Sequence, residues 1–274
     1  MIKPPPSPGK SDDNSDAAIG TPVRPVGVDQ MGGFAKGLSV IEAFARGRAA
    51  LTIAEAARLS GLDRASARRC LLTLVNLGYA STDGRYFELT PSILRLGYAY
   101  LAAPLPKLIQ PTLDHLANTL KASCSASVLD DTDIVYFARA AQHRLIAGGL
   151  HAGSRLPAYC TAMGRVLLAA LPQSRSREIL DKSERRPITA RTLIDIDALS
   201  AELDRVRTTG YAIVDQEVEL GSMSVAMPIR NTQDKTVAAF VVALHATPEA
   251  FARIRTEVVP AMLEAQAQLA KILP

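Results

Sequence analysis

Between Leu51 and Pro91 the chain reads LTIAEAARLSGLDRASARRCLLTLVNLGYASTDGRYFELTP: two short helical patterns broken at one glycine, then an Asp-Gly step. Helices this short do not persist alone in water, so they must pack on each other and on their neighbours. Thr52 and Glu55 stand in the capping-box relation at the start of the first, where a hydroxyl and a carboxylate each satisfy an amide without a helical partner. Gly61 supplies the left-handed residue that stops it. Asp63 caps the second, whose Ala67, Cys70, Leu71, Leu74 and Val75 form an apolar stripe. The opposite face shows Arg64, Ala65, Arg68, Thr73 and Asn76, with Arg69 at its margin. Gly78 ends this helix, and YAST and RYFEL flank Asp83-Gly84, a strong hairpin signal.

Upstream, AKGLSVIEAFARG places Leu38, Ile41 and Ala45 at helical spacing and predicts a helix ending at Gly47. Three helices with a glycine turn before the last, and a hairpin after it, are a winged helix-turn-helix, in which the last helix enters the major groove. The expected DNA contacts are Thr52, Arg64, Ala65, Ser66, Arg68, Arg69 and Thr73, with Arg85 at the wing. Charge agrees with this. Residues 31–97 carry Lys36, Arg46, Arg48, Arg58, Arg64, Arg68, Arg69, Arg85 and Arg95 against Glu42, Glu55, Asp63, Asp83 and Glu88, which equals the formal net charge of +4 for the whole chain. The surplus in one small segment points to a polyanion as its partner.

Thr90-Pro91 opens a further helix, with proline at its first position, running to about Ala103. A helix over Leu105–Leu120 begins the second half. There SASVL, IVYFARA, YAIV, SVAMPI and TVAAFVVAL read as strands, and YCTAMGRVLLAAL, IDALSAELDRVRTTG and the C-terminus as helices. The fold class is therefore α+β, an antiparallel sheet flanked by helices. The expected boundaries are a disordered tail at 1–30, a DNA-binding domain at 31–92, a linker helix at 93–104 and an effector-binding domain at 105–274. The tail, MIKPPPSPGKSDDNSDAAIGTPVRPVGVDQ, lacks both a signal peptide's apolar core and enough apolar surface to order itself.

No apolar run reaches the roughly 18 residues of a membrane span, and Cys70, Cys124 and Cys160 lie too far apart for a disulfide framework or zinc site. A cytoplasmic protein without metal or cofactor is expected. PGKS at 8–11 lacks the P-loop's first glycine, Pro4 standing there. An enzymatic alternative would use the carboxylates Asp215, Glu217 and Glu219, or Cys160 or Cys124 with His143 or His151. The alternation of the three carboxylates reads more simply as one polar edge of an extended segment, and nothing in the sequence activates either thiol.

GLSVIEAFARG, the stretch from Leu51 to Pro91, GSRLPAYCTAMGRVLLAALP and GYAIVDQEVELGSMSVAMPIRN, in this order, resemble the IclR family of bacterial transcription regulators, and within it the branch controlling aromatic catabolism through protocatechuate and β-ketoadipate. The resemblance implies a winged helix-turn-helix, a dimerising linker helix and a GAF-like effector domain. It further implies operator DNA bound by a homodimer or dimer of dimers, with RNA polymerase as a further partner, and a small aromatic or dicarboxylic acid as effector. Carried over by position, the effector pocket comprises Leu145, Gly148, Leu156, Ala162, Met163, Asp215, Ser224, Val241 and Ala243. Thr161, Ser222 and Ser224 would serve as donors to a carboxylate, with Arg139, Arg144 or Arg155 as its charge partner. Val214, Val241 and Ala243 are apolar where members binding small oxo-acids carry polar groups, which implies a larger, more hydrophobic ligand.

Overall fold

Helix α2 (Ile53–Ser60) starts at the capping box: the Glu55 amide donates to the Thr52 hydroxyl at 3.3 Å, and the Glu55 carboxylate accepts the Thr52 amide at 2.8 Å. Two amides stranded by the helix start are thereby satisfied. Gly61, at φ 70°, closes the helix. Asp63 caps α3 (Arg64–Asn76) by accepting the Ser66 amide at 2.8 Å, which holds the Asp63 carboxyl below the ordinary carboxylate range. Helix α1 (Gly32–Arg46) lays Val40, Ala43 and Phe44 against Ala56, Leu71 and Leu74 in one core.

This computed structural model describes residues 31–46, 49–101, 104–140 and 150–273. The expected tail at 1–30 and the helix end at Gly47 lie outside them. The chain divides into two compact units, up to Tyr98 and from Ala99.

The first unit holds a small sheet of order β1-β3-β2, made of β1 (Ala50–Leu51), β2 (Ala80–Thr82) and β3 (Phe87–Leu89). Strand β1 is unforeseen because two residues carry no period-two signal. The wing loop is also wider than an Asp-Gly turn. Thr82 pairs with Phe87, which leaves Asp83, Gly84, Arg85 and Tyr86 in the loop. The Asp83 carboxylate accepts the amides of Arg85 and Tyr86 at 2.8 and 2.7 Å, so a side chain closes the loop. A 3-10 turn, Pro91–Ile93, leads into α4 (Leu94–Leu101), which carries the chain into the second unit.

There a six-stranded sheet runs β6-β5-β4-β9-β8-β7 with every neighbouring pair antiparallel. Its strands are β4 (Ser123–Asp130), β5 (Asp133–Ala140), β6 (Arg155–Pro157), β7 (Ala212–Asp215), β8 (Ser222–Arg230) and β9 (Thr236–His245). One face packs Cys124, Val225, Phe240 and Val242 with α5 (Pro104–Leu120) and α10 (Val259–Ile272). The other packs Tyr136, Val214, Ala226 and Val241 with α6 (Ala162–Ala169), against which α7 (Gln173–Lys182) and α8 (Ile196–Thr209) lie. Burial on both faces explains why β9 is continuously apolar rather than alternating.

Several elements differ from the sequence reading. Helix α6 begins at Ala162, capped by Thr161, so Tyr159 and Cys160 belong to its lead-in. Helix α7 was hidden in a polar stretch because only Ser176, Ile179 and Leu180 of it are buried. Strand β6 is three residues long and ends in proline. The terminal helix is interrupted: α9 (Ala250–Arg253) passes through a π turn, Ile254–Val258, into α10, just where Pro260 has no amide to donate.

Candidate functional site

The exposed face of α3 presents Arg64, Ala65, Arg68, Arg69, Thr73 and Asn76. No ion pair among the described residues neutralises Arg64 or Arg68. Two of the expected contact residues are placed otherwise. Ser66 is 4% exposed and accepts from Arg69 Nη2 at 3.3 Å, so it steadies the guanidinium instead of joining the face. Thr52 spends its hydroxyl on the Glu55 carboxylate at 2.7 Å. At the wing, the Arg85 guanidinium lies 5.2 Å over the Tyr86 ring. Arg95 lies 5.4 Å over Tyr79 in the same manner, a contact the sequence reading missed. Both arrangements hold a cation on the surface without neutralising it.

In the second unit a cavity of about 70 Å³ lies between α6 and the sheet. A β-bulge makes its polar corner. Ala126 pairs with Ala138 but Ser127 with Tyr136, so Phe137 is an extra residue in β5. Positions 136 and 139 would face opposite sides of a regular strand; the bulge turns both Tyr136 and Arg139 to the cavity. Arg139 Nη1 donates to the Leu150 carbonyl at 3.1 Å, leaving further N–H groups of the guanidinium fork for a ligand. Opposite, Thr161, Ala162 and Met163 bring the start of α6 to the wall. The Thr161 hydroxyl is spent as the cap, accepting the Gly164 amide at 3.2 Å and donating to Pro157 O at 3.1 Å. The amides of Ala162 and Met163 have no carbonyl within the helix, and the helix start favours negative charge.

Along the sheet, Ser125 pairs with Val241 and Ser123 with Ala243 on one side, while Ser224 pairs with Ala243 on the other. An apolar stripe from β9 thus runs between serine-bearing strands. Leu156 and Ser222 also line the cavity. Leu145, Gly148, Arg144 and His143 lie outside the described residues. Arg155 is committed elsewhere, to Asp130 at 2.5 Å and Asp133 at 3.2 Å.

Asp215 does not line the cavity; it pairs with Arg191 at 2.5 Å. The polar edge expected of Asp215, Glu217 and Glu219 does not exist either, because β7 ends at Asp215 and the chain turns, with Gln216 at φ 60°. Glu217 points inward to Arg165 of α6, Nη2 to Oε2 at 2.6 Å, and also accepts the Leu193 amide at 2.8 Å. Burial pushes the Cys160 and Cys124 thiols up to about 12, which leaves no thiolate near neutrality. Glu217 is thus held in a structural ion pair, and burial leaves neither thiol activated.

Residues 34–84 match the profile described as the IclR helix-turn-helix domain, and residues 99–270 the bacterial transcriptional regulator IclR C-terminal profile. The chain belongs to the IclR family. It is a transcription regulator, not an enzyme. The Pca regulon regulatory protein of Pseudomonas putida is 41% identical over 88% of this chain and 84% of its own length. The p-hydroxybenzoate hydroxylase transcriptional activator of Acinetobacter baylyi is 38% identical over 77% of this chain and 80% of its own. A solved complex of a double mutant of the Acinetobacter PobR inducer binding domain with 3-hydroxybenzoic acid is 30% identical, with a TM-score of 0.56 over 61% of this chain and 98% of that one.

In this IclR chain the cavity gathers Leu156, Ala162, Met163, Ser224, Val241 and Ala243 from the residues expected by position and Arg139, Thr161 and Ser222 from the expected carboxylate partners, and adds Ser123, Ser125, Tyr136, Leu150 and Val218. The serines had a legible signal, since Ser123, Ser125 and Ser127 alternate through an otherwise apolar strand. Tyr136 had none, because its facing depends on the bulge.

Proposed function

We propose that this IclR protein controls an aromatic-acid degradation operon, binding operator DNA through α3 and the wing and answering to a small aromatic acid held between α6 and the sheet. The observation that carries the effector reading is the composition of the cavity: one guanidinium, a helix start and serine hydroxyls around walls of Leu156, Met163, Val218, Val241 and Ala243. A carboxylate buried without donors would cost several kcal/mol. Arg139 and the Ala162 and Met163 amides supply them, while the apolar walls take a ring. The relatives named for the Pca regulon and for p-hydroxybenzoate hydroxylase support the same pathway.

In this reading residues 31–92 are the DNA-binding domain, 93–104 the linker helix and 105–274 the effector domain. A dimer places two α3 helices in successive major grooves about 34–36 Å apart, in the cytoplasm, where RNA polymerase is the further partner. Arg64, Ala65, Arg68, Arg69 and Thr73 face the groove, and Arg85 reaches the flanking backbone.

The DNA face is tested on a fragment from upstream of the protein's own gene by fluorescence anisotropy across a salt series. Arg68→Ala is expected to weaken binding about tenfold or more; if Arg68 touches a phosphate, the salt slope also falls by about one. Unchanged affinity with an unchanged slope would remove α3 as the reading helix.

A further inference from the structure

Gln110 joins α5 to the strand that bears Arg139. Its Nε2 donates to the Arg139 carbonyl at 3.1 Å and to the Asp114 carboxylate at 2.9 Å. A carboxylate only accepts, so Asp114, one turn further along the helix, keeps the nitrogen end of the amide in play. Among the described residues β6 pairs with β5 only from Asp133 to Val135, while at Arg139 the strand is held through Ser125 of β4. The helix amide adds the hold that a further strand would have given.

The same helix is broken at the next residue. Pro111 lies inside α5 and has no amide to donate to the Lys107 carbonyl. The two parts of the helix are anchored unequally. After Pro111, Leu113, Leu116, Ala117 and Leu120 are all buried in the core; before it, Ile109 is buried but Leu105 and Leu108 are only partly so. Bending in a helix concentrates at proline, so segment 104–110 can tilt while the rest of α5 stays on the sheet. Helix α4 ends at Leu101 and α5 begins at Pro104, which places the tilting segment next to α4 in the chain.

We propose that Gln110 is the positioning residue that passes acid binding on to the DNA-binding unit. An acid on the Arg139 guanidinium pulls on the same residue whose carbonyl Gln110 holds. Segment 104–110 follows, pivoting at Pro111 and taking α4 with it. This rests on the reading of Arg139 as the acid's charge partner. The device has two arrangements of that segment, and the acid binds one of them better than the other. Gln110 does not line the cavity, so its replacement leaves the donors to the acid in place.

The test is reciprocal and uses the full chain. The dissociation constant for the upstream fragment is measured with and without saturating acid, and that for the acid, by calorimetry, with and without the fragment. The acid is whichever of 4-hydroxybenzoate and adipate shifts the wild type. The wild type should show a factor of about five or more in both directions. Gln110→Met keeps the length but lacks the amide; it should bring both factors below about two, while each ligand alone binds within about threefold of wild type. Pro111→Ala returns an amide to the Lys107 carbonyl and should shrink the shift with the Gln110 bond intact. A wild-type shift in Gln110→Met would overturn the inference. So would a loss of acid affinity without DNA in that variant, since Gln110 would then only prop Arg139. A full shift in Pro111→Ala would overturn the pivot. If neither acid shifts the wild type, the effector reading itself fails, and the inference falls with it.

Discussion

Glu217→Ala is expected to cost the second unit about 3–5 kcal/mol, the range for removing one partner of a buried ion pair. Arg165 is 2% exposed and Glu217 8%. The Arg165 guanidinium also donates through Nε to the Tyr159 carbonyl at 3.0 Å, so it cannot swing to water when its carboxylate is gone. The Leu193 amide would lose its acceptor as well. At about 2–4 °C per kcal/mol for a unit of this size, the melting transition should fall by roughly 10 °C. Replacing both partners by apolar residues, Arg165→Met with Glu217→Leu, should recover most of the loss, because the cost lies in the stranded charge. A single substitution costing less than about 1 kcal/mol would show that the pair is not what ties the Gln216–Gly221 turn to α6.

The second large effect is at Gly164. A Cβ there would lie 2.1 Å from the Ala158 carbonyl oxygen and 2.4 Å from the Ala158 Cα. Both are backbone atoms, so no side chain can rotate away and the 158–161 segment must shift. Gly164→Ala should therefore destabilise by about 3 kcal/mol, the upper range of overpacking, and weaken acid binding, since that segment ends in the cavity-lining Thr161. Gly97→Ala is the control. It lies in α4 with nothing within 4 Å of the added carbon, so it should be neutral or stabilising by about 0.5–1 kcal/mol. Equal effects from the two substitutions would contradict the close approach at Ala158. Both are read by thermal melts, with calorimetry for the acid.

The winged helix-turn-helix was largely legible because local chemistry dictates it. Capping by Thr52, Glu55 and Asp63 and the left-handed Gly61 act within a few residues of themselves. The six-stranded sheet was legible as a set of strands but not as a register. The bulge that turns Tyr136 and Arg139 together depends on how β4 meets β5, and no local pattern reports it. The carboxylates of 215–219 misled for a related reason. Their alternation mimics an exposed strand edge, whereas the turn at Gln216 sends Glu217 into the core to a partner 52 residues away. Short elements such as β1, β6 and α7 bury too few side chains to leave a periodic trace.

The central claim is that one acid, bound between α6 and the sheet, changes the affinity of α3 for an operator. The direct measurement is the dissociation constant for the upstream fragment and for a random duplex, with and without 4-hydroxybenzoate or adipate, for the wild type and Arg139→Met. The account predicts a preference for the upstream fragment, a shift of that affinity of about fivefold or more with at least one acid, and loss of the shift, with DNA binding retained, in Arg139→Met. Indifference between the two duplexes, or an acid response that persists without Arg139, would contradict it.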